Sequence, residues 1–314
     1  MADADFTEKK MVSEKKKKEI TDLLFYLSLI VLPLVQFVIF YVVVNANSIA
    51  LAFKHYEYNA EGQYVASAAY FDNFVQVIKD LFTKEELKYC FRNSLVFYVV
   101  TFASGTVVSL IFSFYIFKKR LFSGTFKTFL YMPSIVSVMV ISVLFRYFCE
   151  DCYPAIVEKI TGKTVAGYSE HKYALIVLFN FFISCGGNML VYTGTMAGIS
   201  DSVIEASEVD GVNSVQQFWY IVLPQIFQTF SLFVVTGLLV FFSGQANMFN
   251  FFGLRPDPEF YTFGYYMYVQ IAKNVNDYAV YSYLSAFGLI ITAVAIPVIF
   301  AARYLFDKFG PKEI

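Results

Sequence analysis

Six stretches of this 314-residue chain are apolar over enough length to cross a bilayer: residues 22–44, 94–117, 127–148, 173–198, 221–243 and 280–306. Crossing about 30 Å of hydrocarbon takes roughly 20 residues of helix. The fourth stretch is interrupted by Asn180, Ser184, Gly186, Gly187 and Asn188, and the fifth by Gln225, Gln228 and Thr229. Small and polar side chains let helices approach closely and hydrogen-bond in the membrane, so these two are expected inside the bundle. The pattern predicts an all-α integral membrane protein with six transmembrane helices. It divides into a basic segment 1–21, a first helix 22–44, a long connection 45–93, a five-helix core 94–306 and a tail 307–314.

Composition agrees. The chain is 58% hydrophobic and 20% aromatic but only 16% charged, against about a quarter charged for a soluble domain. The net charge of −1 leaves no basic excess for nucleic acid. The distribution of charge is more telling. Six lysines in "EKKMVSEKKKKEI" precede the first helix, "FKKRLFSGTFK" joins the second and third, and the tail "ARYLFDKFGPKEI" is basic. Six spans place all three on one side, and the excess of Lys and Arg in cytoplasmic segments makes that side the cytoplasm. Segments 45–93, 149–172 and 244–279 then lie outside, and both termini lie inside.

The loop 200–220, between the fourth and fifth spans, breaks the charge preference. It carries Asp201, Glu205, Glu208 and Asp210, and no Lys or Arg occurs from Tyr173 to Leu254. Ser202 and Glu205 have the spacing of a capping box, which predicts a short helix from Ser202. Gly211 would end it in a left-handed conformation. Ser214 and Gln217 repeat the spacing and predict a second short helix running toward Leu223-Pro224, with Pro224 in the first turn of the fifth span. Trp219, the only tryptophan, suits a membrane-interface anchor.

Glu205-Ala206-Ser207, Asp210-Gly211, Ile221 and Leu223-Pro224 resemble the EAA signature of permease subunits in bacterial binding-protein-dependent ABC importers: E-A-A, three residues, Gly, about nine residues, then I-x-L-P. Ser207 stands where the pattern has its second Ala. The Asp-Gly pair and Phe218 are closest to the carbohydrate branch, as are "LPLVQFVIFYVVVNANSIALAF" in the first span, "RNSLVFYVV" opening the second and "FKTFLYMPSIVSVMV" opening the third. The resemblance implies that the loop is a coupling helix docking on a cytoplasmic ATPase. Glu205 would take charge-assisted hydrogen bonds, and Ala206 and Ser207 would permit close approach. It further implies two ATPase subunits carrying ATP and Mg, a second permease subunit, either a chain of different sequence or a second copy of this one, an extracellular solute-binding protein, and a sugar or oligosaccharide as substrate, in the bacterial cell membrane. The Gly-Gly-Pro triplet of the sugar branch is absent from 244–279.

The residues exclude several other chemistries. "TGKT" at 161–164 has Val157 where a phosphate loop needs its first glycine, and it lies in an outer segment. Two histidines, His55 and His171, form no metal motif, so the chain is expected to catalyse no reaction itself and to hold no cofactor or metal. Arg92, Lys127, Arg146 and Arg303 sit at span ends, leaving the spans essentially without charge, which weighs against an ATP-independent proton-coupled carrier. Tyr131, Asn180, Asn188 and Tyr192 offer rings, hydroxyls and amides suited to a neutral sugar path. Another polar solute, such as a glycerol-phosphate ester or a peptide, an ATP-independent secondary carrier and a membrane scaffold stay open as alternatives. Cys149 and Cys152 in "FCEDCYP" are compatible with a local disulfide or with two free thiols; Cys90 and Cys185 read as buried thiols.

Overall fold

A computed structural model of the protein describes residues 2–58, 64–164 and 167–311. Met1 and the end of the expected tail, 312–314, lie outside the described residues. Five helices are long and apolar enough to cross a membrane: Lys17–Ala52, Glu85–Phe117, Tyr168–Met196, Phe227–Phe252 and Tyr278–Phe309. These are the first, second, fourth, fifth and sixth spans. The third expected span is broken. Ser123–Ile135 and Val138–Thr161 meet at 98°, because Val136 between them is extended and Ser137 is non-helical. Pro133, which gives up a helix hydrogen bond, lies just before the break. The straight helix expected over 127–148 is therefore corrected to two arms.

Two other boundaries move. The first span runs eight residues past Val44, to Ala52, and the second begins at Glu85 rather than at 94. The segment expected as one external connection, 45–93, thus shrinks to a short layer. It contains the only strands among the described residues, Lys54–Tyr58 and Tyr64–Ala68, paired antiparallel with Lys54 opposite Ala68, and a helix, Asp72–Thr83. Buried Asn73 ties this helix to the end of the first span by donating to the carbonyls of Ala52 (2.9 Å) and Lys54 (2.8 Å). Asp80 ties it to the sixth span by accepting from Tyr283 Oη at 2.9 Å, and it also pairs with Lys84.

The second and fourth spans form the closest pair. Ser184 Oγ donates to the Thr101 carbonyl (2.8 Å), Ser109 Oγ to the Cys185 carbonyl (2.6 Å) and Ser113 Oγ to the Met189 carbonyl (2.9 Å). Ser109 and Ser113 are fully buried. Gly105 faces Ser184 so closely that a Cβ there would overlap it. On the other side of the fourth span, a Cβ on Gly186 would lie 2.5 Å from the Leu130 carbonyl oxygen of the third. Ser184 and Gly186, two of the small and polar residues that mark the fourth stretch in the sequence, therefore lie on its contact surface, as small-residue packing requires.

The chain turns gather at two ends. At one, Lys118 meets Glu208, and Phe227 packs on Phe306. At the other, Asn93 donates to the carbonyls of Glu259 and Tyr261, and Tyr168 stacks on Phe251. The first span stands apart, its central residues exposed on all sides, and it joins the bundle only near Ala52. Cys149 and Cys152 are both free, the first buried and the second exposed.

The Gly186 contact gives a direct test. Gly186→Val places branched carbons against a backbone carbonyl that cannot rotate away. Overpacking of this kind costs about 1–3 kcal/mol, so the thermal midpoint in detergent is expected to fall, and an unchanged midpoint would remove this contact from the account.

Candidate functional site

Two features stand out: the acidic loop at one end of the bundle and a polar cavity nearer the other. In the loop, the first helix spans Asp201–Val209, with extended Ser200 as its cap. The expected box at Ser202 and Glu205 does not form. Ser202 lies inside the first turn, whereas a capping residue must be non-helical, and its Oγ pairs with Ser200 Oγ at 2.7 Å. The far end is as expected. Gly211 takes φ +73°, and the N–H groups of Gly211 and Val212 bond to the carbonyls of Glu208 and Ser207.

The second helix starts one residue earlier than its spacing suggests. Asn213 is the extended cap, and it exchanges hydrogen bonds with Gln216, Asn213 N to Gln216 Oε1 at 3.1 Å and Gln216 N to Asn213 Oδ1 at 2.9 Å. This releases Gln217 to turn inward, where it is 1% exposed and donates to Ser207 Oγ at 2.7 Å. Ser207 in turn donates to the Ile204 carbonyl. The serine that departs from the Glu-Ala-Ala pattern is thus the buried polar link between the two loop helices. Ile221, Leu223 and Pro224 are half-buried, with Val222 and Ile226 fully buried among them. Pro224 belongs to a separate turn, Leu223–Gln225. Ile226 is non-helical, so the fifth span starts afresh at Phe227 rather than at 221.

Outward, the loop presents Glu205, Ala206, Asp210 and Gly211, with Val209 88% exposed. Glu208 is different. Its carboxylate accepts from Lys118 Nζ at 2.6 Å, and Arg120 donates to Ser214 Oγ at 3.3 Å. The hydrogen bond and charge of Lys118, helped by Arg120, hold the Glu208 carboxyl below the usual carboxylate range. The loop lacks cations of its own because they come from "FKKR", 90 residues earlier in the chain. Local sequence reading could not see that pairing.

The cavity, of about 390 Å³, lies between the second and fourth spans, the helix Phe227–Ser243 of the fifth and the turn that follows Ser243. Tyr98, Ser184, Gln245, Asn247 and Asn250 line it with Asn180, and no lining residue is charged. Asn180 is 8% exposed, and its amide is fully engaged. It donates to the carbonyls of Ile176 (2.9 Å) and Ala246 (3.0 Å) and accepts from Asn247 Nδ2 (2.7 Å). These bonds hold Ala246 and Asn247 in consecutive left-handed conformations, φ +48° and +56°, a strained arrangement that surrounding structure must impose.

The other expected path residues lie elsewhere. Tyr192 is fully buried against Phe233, with no hydrogen-bond partner for its hydroxyl among the described residues. Asn188 joins the two halves of the fourth span, and Tyr131 is a half-buried member of the third. None of the three lines the cavity. Gln245, Asn247 and Asn250 were missed by sequence reading, although "GQANMFN" announces them as a run of amides directly after an apolar span.

Residues 102–311 match the family model of binding-protein-dependent transport system inner membrane components. With two thirds of its length matched, the chain belongs to that family of membrane transport subunits. Among its relatives, Protein LplB of Bacillus subtilis is 24% identical over 302 residues, covering 92% of this chain and 91% of that protein. The arabinooligosaccharides transport system permease protein AraP of Halalkalibacterium halodurans is 24% identical over 152 residues, 46% of this chain and 48% of AraP. UgpA of Yersinia pestis, from an sn-glycerol-3-phosphate transport system, is 26% identical over 175 residues, 54% and 58% of the two chains. In fold, the chain resembles a bacterial ABC transporter involved in the import of the acidic polysaccharide alginate. The TM-score is 0.74 at 18% identity, covering 93% of this chain and 98% of that one. Membrane localisation and the all-α fold follow.

Two tests address the loop's internal bonds. Gln217→Ala removes the donor to the buried Ser207 oxygen, which keeps only its own bond to the Ile204 carbonyl, and losing one partner of a buried bond costs about 1–3 kcal/mol. A lowered unfolding midpoint is expected, and an unchanged one would show that the link is not structural. For Glu208, a depressed carboxyl contributes stability that is present above the ordinary carboxylate pKa of about 4.3 and is lost as pH falls through the lower folded value. The wild type is therefore expected to unfold at a slightly higher temperature than Glu208→Gln, by a gap kept small by solvent screening of the exposed carboxylate and level from pH 7 to pH 5. A gap already fading in that interval would contradict the pairing.

Proposed function

We propose that the chain is one membrane subunit of an ATP-driven importer that takes up a neutral sugar or oligosaccharide delivered by an extracellular solute-binding protein. The observation that carries this reading is the loop 201–226. It is braced internally by Ser207 and Gln217, yet it presents Glu205, Ala206 and nearly fully exposed Val209. An exposed carboxylate beside exposed apolar carbon suits a protein groove, where charge-assisted hydrogen bonds are strong and apolar surface is covered. Glu205 is the anchor, Gly211 makes the bend, and Asp210 lies at its edge. Ile221, Leu223 and Pro224 seat the loop against the bundle.

The partners follow from the family to which the chain belongs. Two ATPase subunits bind the loops and supply ATP and Mg, and this chain catalyses no reaction itself. A second permease, of different sequence, completes the pore. The basic segments support a cytoplasmic loop and cytoplasmic termini in the bacterial cell membrane. The opposite end, including the layer from Lys54 to Thr83, then receives the binding protein. The cavity supports a neutral polyhydroxy substrate, because rings, amides and hydroxyls line it without charge. The kinship with UgpA favours a glycerol-phosphate ester as the second reading, and the missing cations in the cavity weigh against it.

Purification of the chain from its native membrane in mild detergent, with identification of co-purifying chains, tests the assembly. An ATPase and a second permease are expected with the wild type, and Glu205→Ala is expected to lower transport at least tenfold by loosening the ATPase. Recovery of the chain alone, or an unaffected Glu205→Ala, would overturn the reading. Uptake of labelled glycerol phosphate but no sugar would select the second substrate class.

A further inference from the structure

We propose that Lys118 is the residue through which the acidic loop moves the second span, so that loop and cavity wall travel as one body. This rests on the reading of the loop as an ATPase-docking element. Lys118 directly follows the second span, Glu85–Phe117, and its N–H still bonds to the Phe114 carbonyl in helical fashion at 3.0 Å. Its side chain is only 14% exposed, whereas Glu208, its partner at 2.6 Å, is 57% exposed. The cation is therefore sunk into the end of the span, and the anion is carried by the loop.

Two more contacts join the same elements. Arg120 donates to Ser214 Oγ, reaching the second loop helix. Phe114 packs on Phe218 with ring centres 5.2 Å apart. Both arms of the loop are thus fastened to the end of the second span.

The covalent route to the fifth span is less direct. It passes through Leu223–Gln225 and the non-helical Ile226, a joint that absorbs rotation. The second span, by contrast, has no non-helical residue from Glu85 to Phe117, passing from α-helix to a π-helical stretch at Phe97–Ala103 and back. Twenty residues separate Lys118 from Tyr98 in the cavity wall, about 30 Å of helix at 1.5 Å per residue. The serine bonds to Cys185 and Met189 carry the fourth span along. An ion pair whose carboxylate is open to solvent adds little stability, so the role assigned to Lys118 is positional: it keeps the loop's displacement from being lost at its base.

The test is a charge-swap cycle in the whole reconstituted transporter. It reads the ratio of ATP hydrolysis with and without sugar-loaded binding protein, alongside co-purification of the ATPase. Lys118→Glu and Glu208→Lys are each expected to cut the ratio at least fivefold with the ATPase still bound. The double swap is expected to return it to within twofold of wild type. Lys118→Arg should keep the ratio and Lys118→Met should lose it, and these two decide the matter should Lys118→Glu fail to accumulate. Single variants within twofold of wild type, or a double swap no better than Lys118→Glu alone, overturn the proposal. Glu205→Ala, run in parallel, separates the two readings. Uncoupling by Glu205→Ala with unaffected Lys118 variants removes only the role of Lys118, whereas absence of any ATPase from the wild type removes both.

Discussion

The close seam between the second and fourth spans is the constraint on which the rest of the structure depends. In hydrocarbon the hydrophobic effect does not hold two helices together. Packing at small residues and interhelical hydrogen bonds do, the latter averaging about 0.6 kcal/mol each in measured cases. Ser184, Ser109 and Ser113 supply three such bonds to backbone carbonyls across the seam, and Gly105 leaves the room for them. Because the acceptors are main-chain groups, the bonds fix helix against helix rather than one rotamer against another. The cavity wall at Tyr98 and Ser184 lies near one end of this seam, and Lys118 lies beyond the other.

Polar side chains in the core fall into two kinds, and the distinction assigns their roles. Asn180, Ser207 and Gln217 have their hydrogen-bonding capacity absorbed by the protein. They hold a strained turn or join two helices, and an unpaired amide in such places would be costly. Gln245 and Asn250 are half-buried on the cavity surface, where solvent or a ligand can reach them. Asn180 therefore shapes the cavity by clamping Ala246 and Asn247 into their left-handed turn.

The apolar runs made the six-part plan legible, because hydropathy over 20 residues reports directly on membrane burial. The outer acids and Gly211 of the loop were legible too, since their spacing and the left-handed turn are local properties. What escaped were features fixed by distant contacts. The pairing of Glu208 with Lys118 joins residues 90 positions apart. The two capping boxes shifted or failed because spacing alone does not say which residue is extended, and Asn213 outcompeted Ser214 for that place. The polar path residues chosen from the spans were mostly elsewhere than the cavity, since helix rotation decides which side of a span is lined. Tyr192 faces Phe233 and the core, whereas the amides following the fifth span reach the cavity because the left-handed turn folds them back.

Rigid and jointed elements are segregated along the chain. The second and fourth spans are locked together, while the third is broken at Val136 and Ser137 and the fifth is separated from the loop at Ile226. Hinged rearrangements need a few residues that absorb large backbone changes between elements that do not deform. Here the joints flank the locked pair in sequence: one follows the second span and the other follows the fourth. The same arrangement explains why the third span touches the seam through Gly186 and the Leu130 carbonyl, a contact on the near side of its break. One arm of the third span can stay with the locked pair while the other turns, so a change of opening need not disturb the hydrogen bonds that hold the cavity wall together.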